Sequence, residues 1–482
     1  MTKKLPAYLP AAVAIMAVAV IVHFLSGLRF PVPWVDESYF LLQSLSFARD
    51  NSLLAPELVP DRPLMWMQPG YMVILGGFFK LGAFSLQHAR EVSLAFYCVA
   101  IALFCKVAWG SQPSWRIVFI ALVFLVPSSL VVSNVARMEA MILALGLGVL
   151  AATLANRFVL AVALVLLGAL IHPNGVYFGL PMVFAMTLRR REFMEQVRRT
   201  VALDWAVLIL AVVSVALYGA YIVQNLDGFR IDMAFQFTRK LERVPFYHNV
   251  KALVLLILAL AVTVGFLWRK SQSQAIVAAF AAAMILIAVN GQEMWYQVFR
   301  NVGVGTLMLV LAAEVRHVLL RWGMVVAMAL AYVAVAGFDF SGMSPHLSGD
   351  YLGEKASEDL KAGLLETQRS LGGKMSVSFN FTSADLLLLD FMREHGIELV
   401  RRMPKEITPE RAVDLCVYVA RPEDPSWLRA SWAIDYPDPS LCRHGIAMSS
   451  SRDKVSILSF EAYESFYQSL SRANAAHPGS RL

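Results

Sequence analysis

Charge is what this sequence has least of. Only 16% of its 482 residues are Asp, Glu, Lys or Arg, while 58% are hydrophobic. That balance excludes an ordinary water-soluble protein. Cysteine is scarce, at four residues. The last third of the chain shows no zinc-ligand spacing, no Gly-rich phosphate loop and no repeat, which argues against a structural zinc module, a P-loop nucleotide site or a solenoid there. No small-residue cleavage site follows the first apolar stretch. It therefore reads as an uncleaved signal anchor, with Lys3 and Lys4 inside, and not as a removed signal peptide.

The charge that is present is unevenly placed. From Phe338 to Leu482 there are 16 Lys+Arg against 20 Asp+Glu, whereas the rest of the chain carries 26 against 15. A basic excess among apolar runs is what a membrane protein shows on its cytoplasmic side, and it does not call for nucleic acid. Residues 1–340 are expected to form a polytopic α-helical membrane domain, and 341–482 a small extracytoplasmic α/β domain. About eleven transmembrane helices are expected, near 7–28, 88–108, 115–133, 138–154, 157–171, 173–189, 202–223, 249–268, 275–290, 298–314 and 322–338. Arg189, Arg190, Arg191, Arg198, Arg199, Arg269, Lys270, Arg316, His317 and Arg321 then fall on the side of the N-terminus. The first loop, 29–87, and the tail face outward. The expected location is a bacterial inner membrane, with the tail in the periplasm.

In the tail, helices are expected at Lys355–Arg369, Ser383–His395 and Glu461–Ser471, and strands at Met375–Phe379, Val413–Val419 and Val455–Leu458. Cys98 and Cys105 lie in an apolar stretch and read as packing residues. Cys416 and Cys442 are the pair that an oxidising compartment would join as a disulfide.

Polar residues gather at the expected outward ends. Pro33-Trp34-Val35-Asp36-Glu37-Ser38-Tyr39 places two adjacent carboxylates just after the first span, ahead of an amphipathic stretch, Tyr39–Arg49. Asp36 or Glu37 capping a helix N-terminus is an equal alternative at this point. Arg137 and Glu139 lie between the third and fourth spans, and His172-Pro173-Asn174-Gly175 between the fifth and sixth. Gln292-Glu293-Met294-Trp295-Tyr296 precedes the tenth, which Arg300 opens. Each has a structural reading: an Arg137–Glu139 ion pair, a packed His172, an interfacial belt of Trp295 and Tyr296. Ionisable groups at membrane depth are costly, however, and usually face a cavity or a partner. Arg239, Lys240 and Arg243 form a basic cluster on the outer side, against the positive-inside bias, and binding of an anion would account for it.

In their order these features resemble the GT-C superfamily of membrane glycosyltransferases, which use polyprenyl-phosphate sugars and include protein O-mannosyltransferases and lipid A aminoarabinose transferases. The resemblance covers roughly residues 5–320. It rests on Trp34-Val35-Asp36-Glu37 after the first span, Gln68-Pro69-Gly70-Tyr71, Leu81-Gly82-Ala83-Phe84, Arg90 with Ser93, Arg137-Met138-Glu139, and Trp295-Tyr296 before a late apolar span. Gln68 departs from the basic or small residue common before that proline, and His172-Pro173-Asn174-Gly175 matches no motif of the family.

The resemblance implies transfer of a sugar from a polyprenyl-phosphate donor to a glycan, lipid or protein acceptor, with inversion. It implies Asp36 as base, and Glu37 as a residue that orients the acceptor or binds a divalent metal such as Mg or Mn. Arg137, Arg300, Arg239, Lys240 and Arg243 become candidates for the donor phosphate. Trp34, Tyr39, Gln68, Glu139, His172, Asn174, Glu293, Trp295 and Tyr296 are pocket candidates. A transporter of a lipid-linked sugar would also need a cationic pocket and many spans but not the carboxylate pair, and a non-catalytic envelope assembly protein would have the tail as its working part.

Overall fold

Segments that are apolar on every side, with no polar stripe, can form helices only where other helices or lipid cover them. The computed structural model is built largely of such helices. It describes residues 8–28, 35–59, 61–82, 84–108, 113–243, 250–291, 294–315, 317–341, 354–379, 387–400, 413–420, 442–451 and 454–457. In chain order the helices are α1 (Leu9–Ser26), α2 (Val35–Asp50), α3 (Gly70–Leu81), α4 (Leu86–Ala108), α5 (Pro113–Leu125), α6 (Pro127–Leu130), α7 (Glu139–Leu154), α8 (Phe158–Ile171) and α9 (Gly179–Leu188). They continue with α10 (Arg190–Arg198), α11 (Ala202–Gln224), α12 (Leu226–Arg243), α13 (Val250–Trp268), α14 (Gln272–Gly291), α15 (Gln297–Glu314), α16 (Val318–Ser341), α17 (Glu354–Ser370) and α18 (Leu389–Glu394). Tight 3-10 turns occupy Val131–Asn134, Pro173–Phe178 and Met294–Tyr296.

The chain divides into two compact units. One comprises Met1–Ser26, Met65–Tyr71 and Arg90–Gly342, and the other Gly27–Leu64, Met72–Ala89 and Met343–Leu482. The first is a multi-pass membrane bundle. Its outer helices leave large apolar side chains exposed: Phe24 and Leu25 on α1, Leu210 and Leu217 on α11, Leu255 and Val262 on α13, Leu319 and Leu330 on α16. In water such a surface would be an aggregation liability; in a bilayer it faces hydrocarbon. Glycines let the inner helices approach closely. A Cβ on Gly303 of α15 would sit 2.8 Å from the Ala281 carbonyl oxygen of α14, and one on Gly305 would sit 2.6 Å from Val123 of α5.

The expected spans meet helices, but not as eleven uniform crossings. Among the described residues α1, α4, α11 and Gln272–Val289 of α14 are long and apolar enough to cross a bilayer, and a bent pair makes a fifth. That pair is the expected span 115–133, which bends by 61° between Arg116–Leu125 and Pro127–Asn134. Pro127 removes a backbone donor, and Val126 before it is extended (φ −66°, ψ 143°), as the residue ahead of a proline prefers. The expected 173–189 is a 3-10 turn followed by the ten-residue α9, because Pro173 ends helical pairing.

Three arginines bond at or just beyond helix C-termini. Arg116 donates to the Ala108 carbonyl at 2.7 Å, Arg321 Nε to that of Val315 at 3.0 Å, and Arg189 Nη1 to Asn156 Oδ1 at 2.9 Å. A cation at a helix C-terminus also meets the negative end of the helix dipole.

In the second unit α2 is enclosed. The amphipathic stretch expected over Tyr39–Arg49 is helical, and residues 37–46 are all buried, polar ones included. Its polar side chains bond to the chain that follows, Gln43 Nε2 donating to the Leu64 carbonyl at 2.7 Å and Ser46 Oγ to that of Leu54. The tail forms a five-stranded sheet of β1 (Met375–Phe379), β2 (Ile397–Leu399), β3 (Val413–Ala420), β4 (Cys442–Ser451) and β5 (Lys454–Ile457), in the order β2-β1-β3-β4-β5. The first four are parallel and β5 is antiparallel to β4. β1 lies where expected, and β3 and β5 within a residue of it. β2 and β4 had not been anticipated. Within the expected helix Ser383–His395, the described helix is α18 alone, and Glu461–Ser471 lies outside the described residues. Cys416 of β3 and Cys442 of β4 form a disulfide, with Cα atoms 5.8 Å apart. Cys105 is buried and Cys98 half-buried in α4.

Two outcomes follow. Mass spectrometry of unreduced protein is expected to find the Cys416–Cys442 cross-linked peptide, and Cys416→Ser should lower the stability of the tail by about 3 kcal/mol through lost loop closure. Gly175→Ala should destabilise the bundle by about 1–3 kcal/mol, because its Cβ would meet the Gly168 carbonyl carbon at 2.2 Å. Gly219→Ala, which meets nothing within 4 Å, is the control; thermal melts in detergent compare the two.

Candidate active site

The bend at Pro127 places irregular backbone inside the bundle. After α6 and the 3-10 turn Val131–Asn134, Val135 is extended (φ −130°, ψ 139°), and the Arg137 N–H donates to the Val135 carbonyl at 2.9 Å. Residues 128–144 are all buried. Non-helical backbone at membrane depth persists only where protein satisfies its polar groups, and side chains do so here. Ser93 Oγ of α4 donates to the Arg137 carbonyl at 3.2 Å, and Ser133 Oγ to that of Leu130 at 2.8 Å.

Arg137 points at Glu139, two residues on in the first turn of α7. Nη2 lies 2.8 Å from Oε1, and Nε lies 3.2 Å from both carboxylate oxygens. Each side chain is 2% exposed. The start of a helix suits a carboxylate, because unpaired N–H groups and the positive dipole end lie there. The Arg137 guanidinium carbon also sits 4.9 Å from the ring centre of Trp295, which adds a cation–π contact in a water-poor setting. One cation is therefore held between an anion and an aromatic face.

Tyr296, the next residue, extends the cluster. Its hydroxyl lies 3.1 Å from His172 Nε2. The backbone N–H of Asn174 donates to His172 Nδ1 at 3.0 Å. Nδ1 is therefore unprotonated, so neutral His172 carries its proton on Nε2 and donates it to the Tyr296 oxygen. His172-Pro173-Asn174-Gly175 thus has a local explanation. His172 caps the 3-10 turn with its own ring, Pro173 opens that turn, and Gly175 allows it to lie against Gly168 of α8. His172, Asn174, Trp295 and Tyr296 are all buried. Arg300 is half-buried one helical turn beyond Tyr296, and the neighbouring Asn301 Nδ2 donates to Ser128 Oγ at 3.0 Å and Ser129 Oγ at 2.8 Å.

A second polar face belongs to α12. Gly228, Asp232 and Gln236 recur every four residues and are buried, whereas Ile231 and Phe237 are exposed. Asp232 Oδ2 accepts from the Met65 backbone N–H at 2.6 Å, which fixes the start of the segment carrying Gln68. Gln68 is half-buried, and among the described residues neither its Oε1 nor Gln236 Nε2 has a hydrogen-bond partner. Arg239, Lys240 and Arg243 lie in the last turns of α12.

In the other unit, Asp36, Glu37 and Tyr39 begin α2. Asp36 is half-buried in the first turn, and Glu37 and Tyr39 are buried. Trp34, Gln292 and Glu293 lie outside the described residues. Among the described residues no group of three His, Cys, Asp or Glu side chains is placed to hold a metal ion.

Of the residues singled out from sequence, the structure brings Arg137, Glu139, Trp295, Tyr296, His172 and Asn174 into one cluster. Sequence reasoning missed Ser93's bond to Arg137, Asn301, Asp232, Gln236 and the buried pair of His23 and Asn134. The available signal was their isolation as polar residues within apolar runs and, for Asp232 and Gln236, the four-residue spacing.

No protein-family model matches the chain, and no curated protein matches it. Among solved structures, the chain is similar to ArnT from Cupriavidus metallidurans bound to undecaprenyl phosphate, at 17% identity and a TM-score of 0.47, over 75% of this chain and 72% of that one. It is also similar to the apo state of the same protein, at 17% identity and a TM-score of 0.48, over 80% of this chain and 73% of that one.

Proposed function

We propose that this chain is an integral-membrane glycosyltransferase that moves a sugar from a polyprenyl-phosphate donor to an acceptor on the outer face of a bacterial inner membrane. The observation that carries the reading is the buried Arg137–Glu139 pair against Trp295, set on irregular backbone within a membrane bundle. A bundle that needed only stability would do as well or better with apolar residues there. A guanidinium oriented by a fixed carboxylate suits recognition of an anion in a dry setting.

The chemistry assigns one step to each group. The acceptor hydroxyl attacks the anomeric carbon, the bond from that carbon to the phosphate oxygen breaks, and polyprenyl phosphate leaves with the bonding electrons. The acceptor proton passes to Asp36. Direct displacement inverts the anomeric centre. Arg137 and Arg300 counter the charge that builds on the departing phosphate, with Arg239, Lys240 and Arg243 drawing the anionic donor toward the site. Glu37 orients the acceptor or contributes to a divalent metal site. Trp34, Tyr39, Gln68, Glu139, His172, Asn174, Glu293, Trp295 and Tyr296 are the residues we propose for donor and acceptor contacts, by the family resemblance. The Cys416–Cys442 disulfide fits a tail in an oxidising compartment, and so supports a periplasmic active face.

Two variants test the assignments. Asp36→Asn keeps the shape and loses the basicity, so transfer is expected to fall by about 10²–10⁴-fold with donor binding preserved; near-normal turnover would remove Asp36 from the mechanism. Arg137→Lys keeps the charge and loses the planar fork, so donor KM is expected to rise about tenfold or more. A loss of melting temperature with donor KM unchanged would leave Arg137 as a structural ion-pair partner only.

A further inference from the structure

A second buried polar pair lies one step back from Arg137. His23 of α1 is 1% exposed, and its Nδ1 lies 2.8 Å from Asn134 Oδ1. Asn134 Nδ2 donates in turn to Ser26 Oγ at 3.2 Å, and Ser26 Oγ donates to the His23 carbonyl at 3.0 Å. The ring, the amide and the hydroxyl thus tie the outer end of α1 to the 3-10 turn Val131–Asn134, three residues before Arg137. On the other side of Arg137, Ser93 of α4 holds its carbonyl. Asn301 of α15 holds the two serines of α6. Two helices, α1 and α4, thereby bond to one irregular segment, and a third, α15, bonds to the α6 turn that leads into it.

That segment has little of its own to hold it. Between Val131 and Met138 the chain is neither α-helix nor strand, so the usual ladder of backbone bonds does not fix where Arg137 sits. A buried His–Asn pair contributes little net stability over an apolar pair of the same volume. What it does supply is register, since each hydrogen bond is satisfied in one arrangement only. A shift of about an ångström in a group that positions substrate can cost about 100-fold in rate.

We infer that His23, acting through Asn134, is a positioning residue for Arg137: it latches the broken segment to the first helix so that the guanidinium meets the donor phosphate. This rests on the donor-phosphate role given to Arg137 above, and the test separates the two. His23→Leu removes the bond and keeps the bulk. His23→Asn places an amide nitrogen where Nδ1 stood and keeps the bond. Arg137→Lys supplies the second edge of a double-mutant cycle.

Amide hydrogen exchange over residues 128–138 of the full-length protein reads the latch without donor. It is expected to speed up in His23→Leu and to return in His23→Asn. Transfer kinetics read its purpose. His23→Leu is expected to raise donor KM about tenfold with a smaller change in kcat, His23→Asn to restore it, and His23→Leu to add less than about twofold in the Arg137→Lys background. Unchanged exchange in His23→Leu overturns the latch. Faster exchange with unchanged donor KM, or an effect that multiplies undiminished in the Arg137→Lys background, overturns the positioning role. An unchanged donor KM in Arg137→Lys alone would sink the phosphate role instead, whatever the exchange shows.

Discussion

The membrane bundle is organised around the requirement that two opposite charges survive where water is scarce. An unpaired guanidinium or carboxylate in such a place would cost several kcal/mol. Arg137 and Glu139 meet that requirement with each other, with the start of α7 and with the Trp295 face. The arrangement demands a helix broken in a particular place. Were the chain helical through residues 126–139, Arg137 and Glu139 would point about 200° apart around the axis, because neighbours two apart do not share a face. The break at Pro127 and the extended Val135 bring them together. Removing Glu139 would take the carboxylate from the guanidinium, and removing Arg137 would take the cation from the carboxylate.

The irregular backbone in turn explains the polar residues scattered through otherwise apolar helices. Ser93, Ser133, Asn134, His23 and Asn301 are each buried or bonded at this segment. The hydrogen bonds of Ser93 and Ser133 reach backbone carbonyls of the segment, and those of His23 and Asn301 reach its side chains or those of α6. The same logic acts on a smaller scale at the second break, where His172 caps the turn with its own ring and meets Tyr296 beyond it. Close approach of the backbones follows from glycine at Gly168 and Gly175, and at Gly303 and Gly305 on α15. A Cβ on Gly175, Gly303 or Gly305 would meet a neighbouring element at under 3 Å, whereas one on Gly168 would make an ordinary contact.

Much of this was legible in the sequence because hydropathy is a composition signal. Long apolar runs gave the helices, and the alternation of short runs in the tail gave β1, β3 and β5. The Arg137–Glu139 pair and the aromatic Trp295-Tyr296 were legible because charged and aromatic residues are conspicuous in an apolar field. What escaped was set by tertiary context. The bend near Pro127 looks like one continuous span when only hydropathy is weighed. The burial of polar side chains on α2 goes with bonds to the Leu54 and Leu64 carbonyls, which no local periodicity reports. β4 carries His, Gly and a run of Ser, a poor strand by propensity, and forms because β3 and β5 flank it. His23 reads in isolation as one polar residue in a signal anchor; only the fold brings it to Asn134, 111 residues away.

On the proposed function, the cage serves bond formation and not the passage of a lipid-linked sugar. The most direct measurement uses purified full-length protein in sealed vesicles, a polyprenyl-phosphate sugar labelled in the sugar, and extracted envelope glycolipids, glycans or proteins as acceptor. The account predicts label in a covalent glycosidic product with inverted anomeric configuration, and polyprenyl phosphate released in equal amount. Label that crosses the bilayer while still attached to its lipid, with no product formed and no phosphate lipid released, would contradict it.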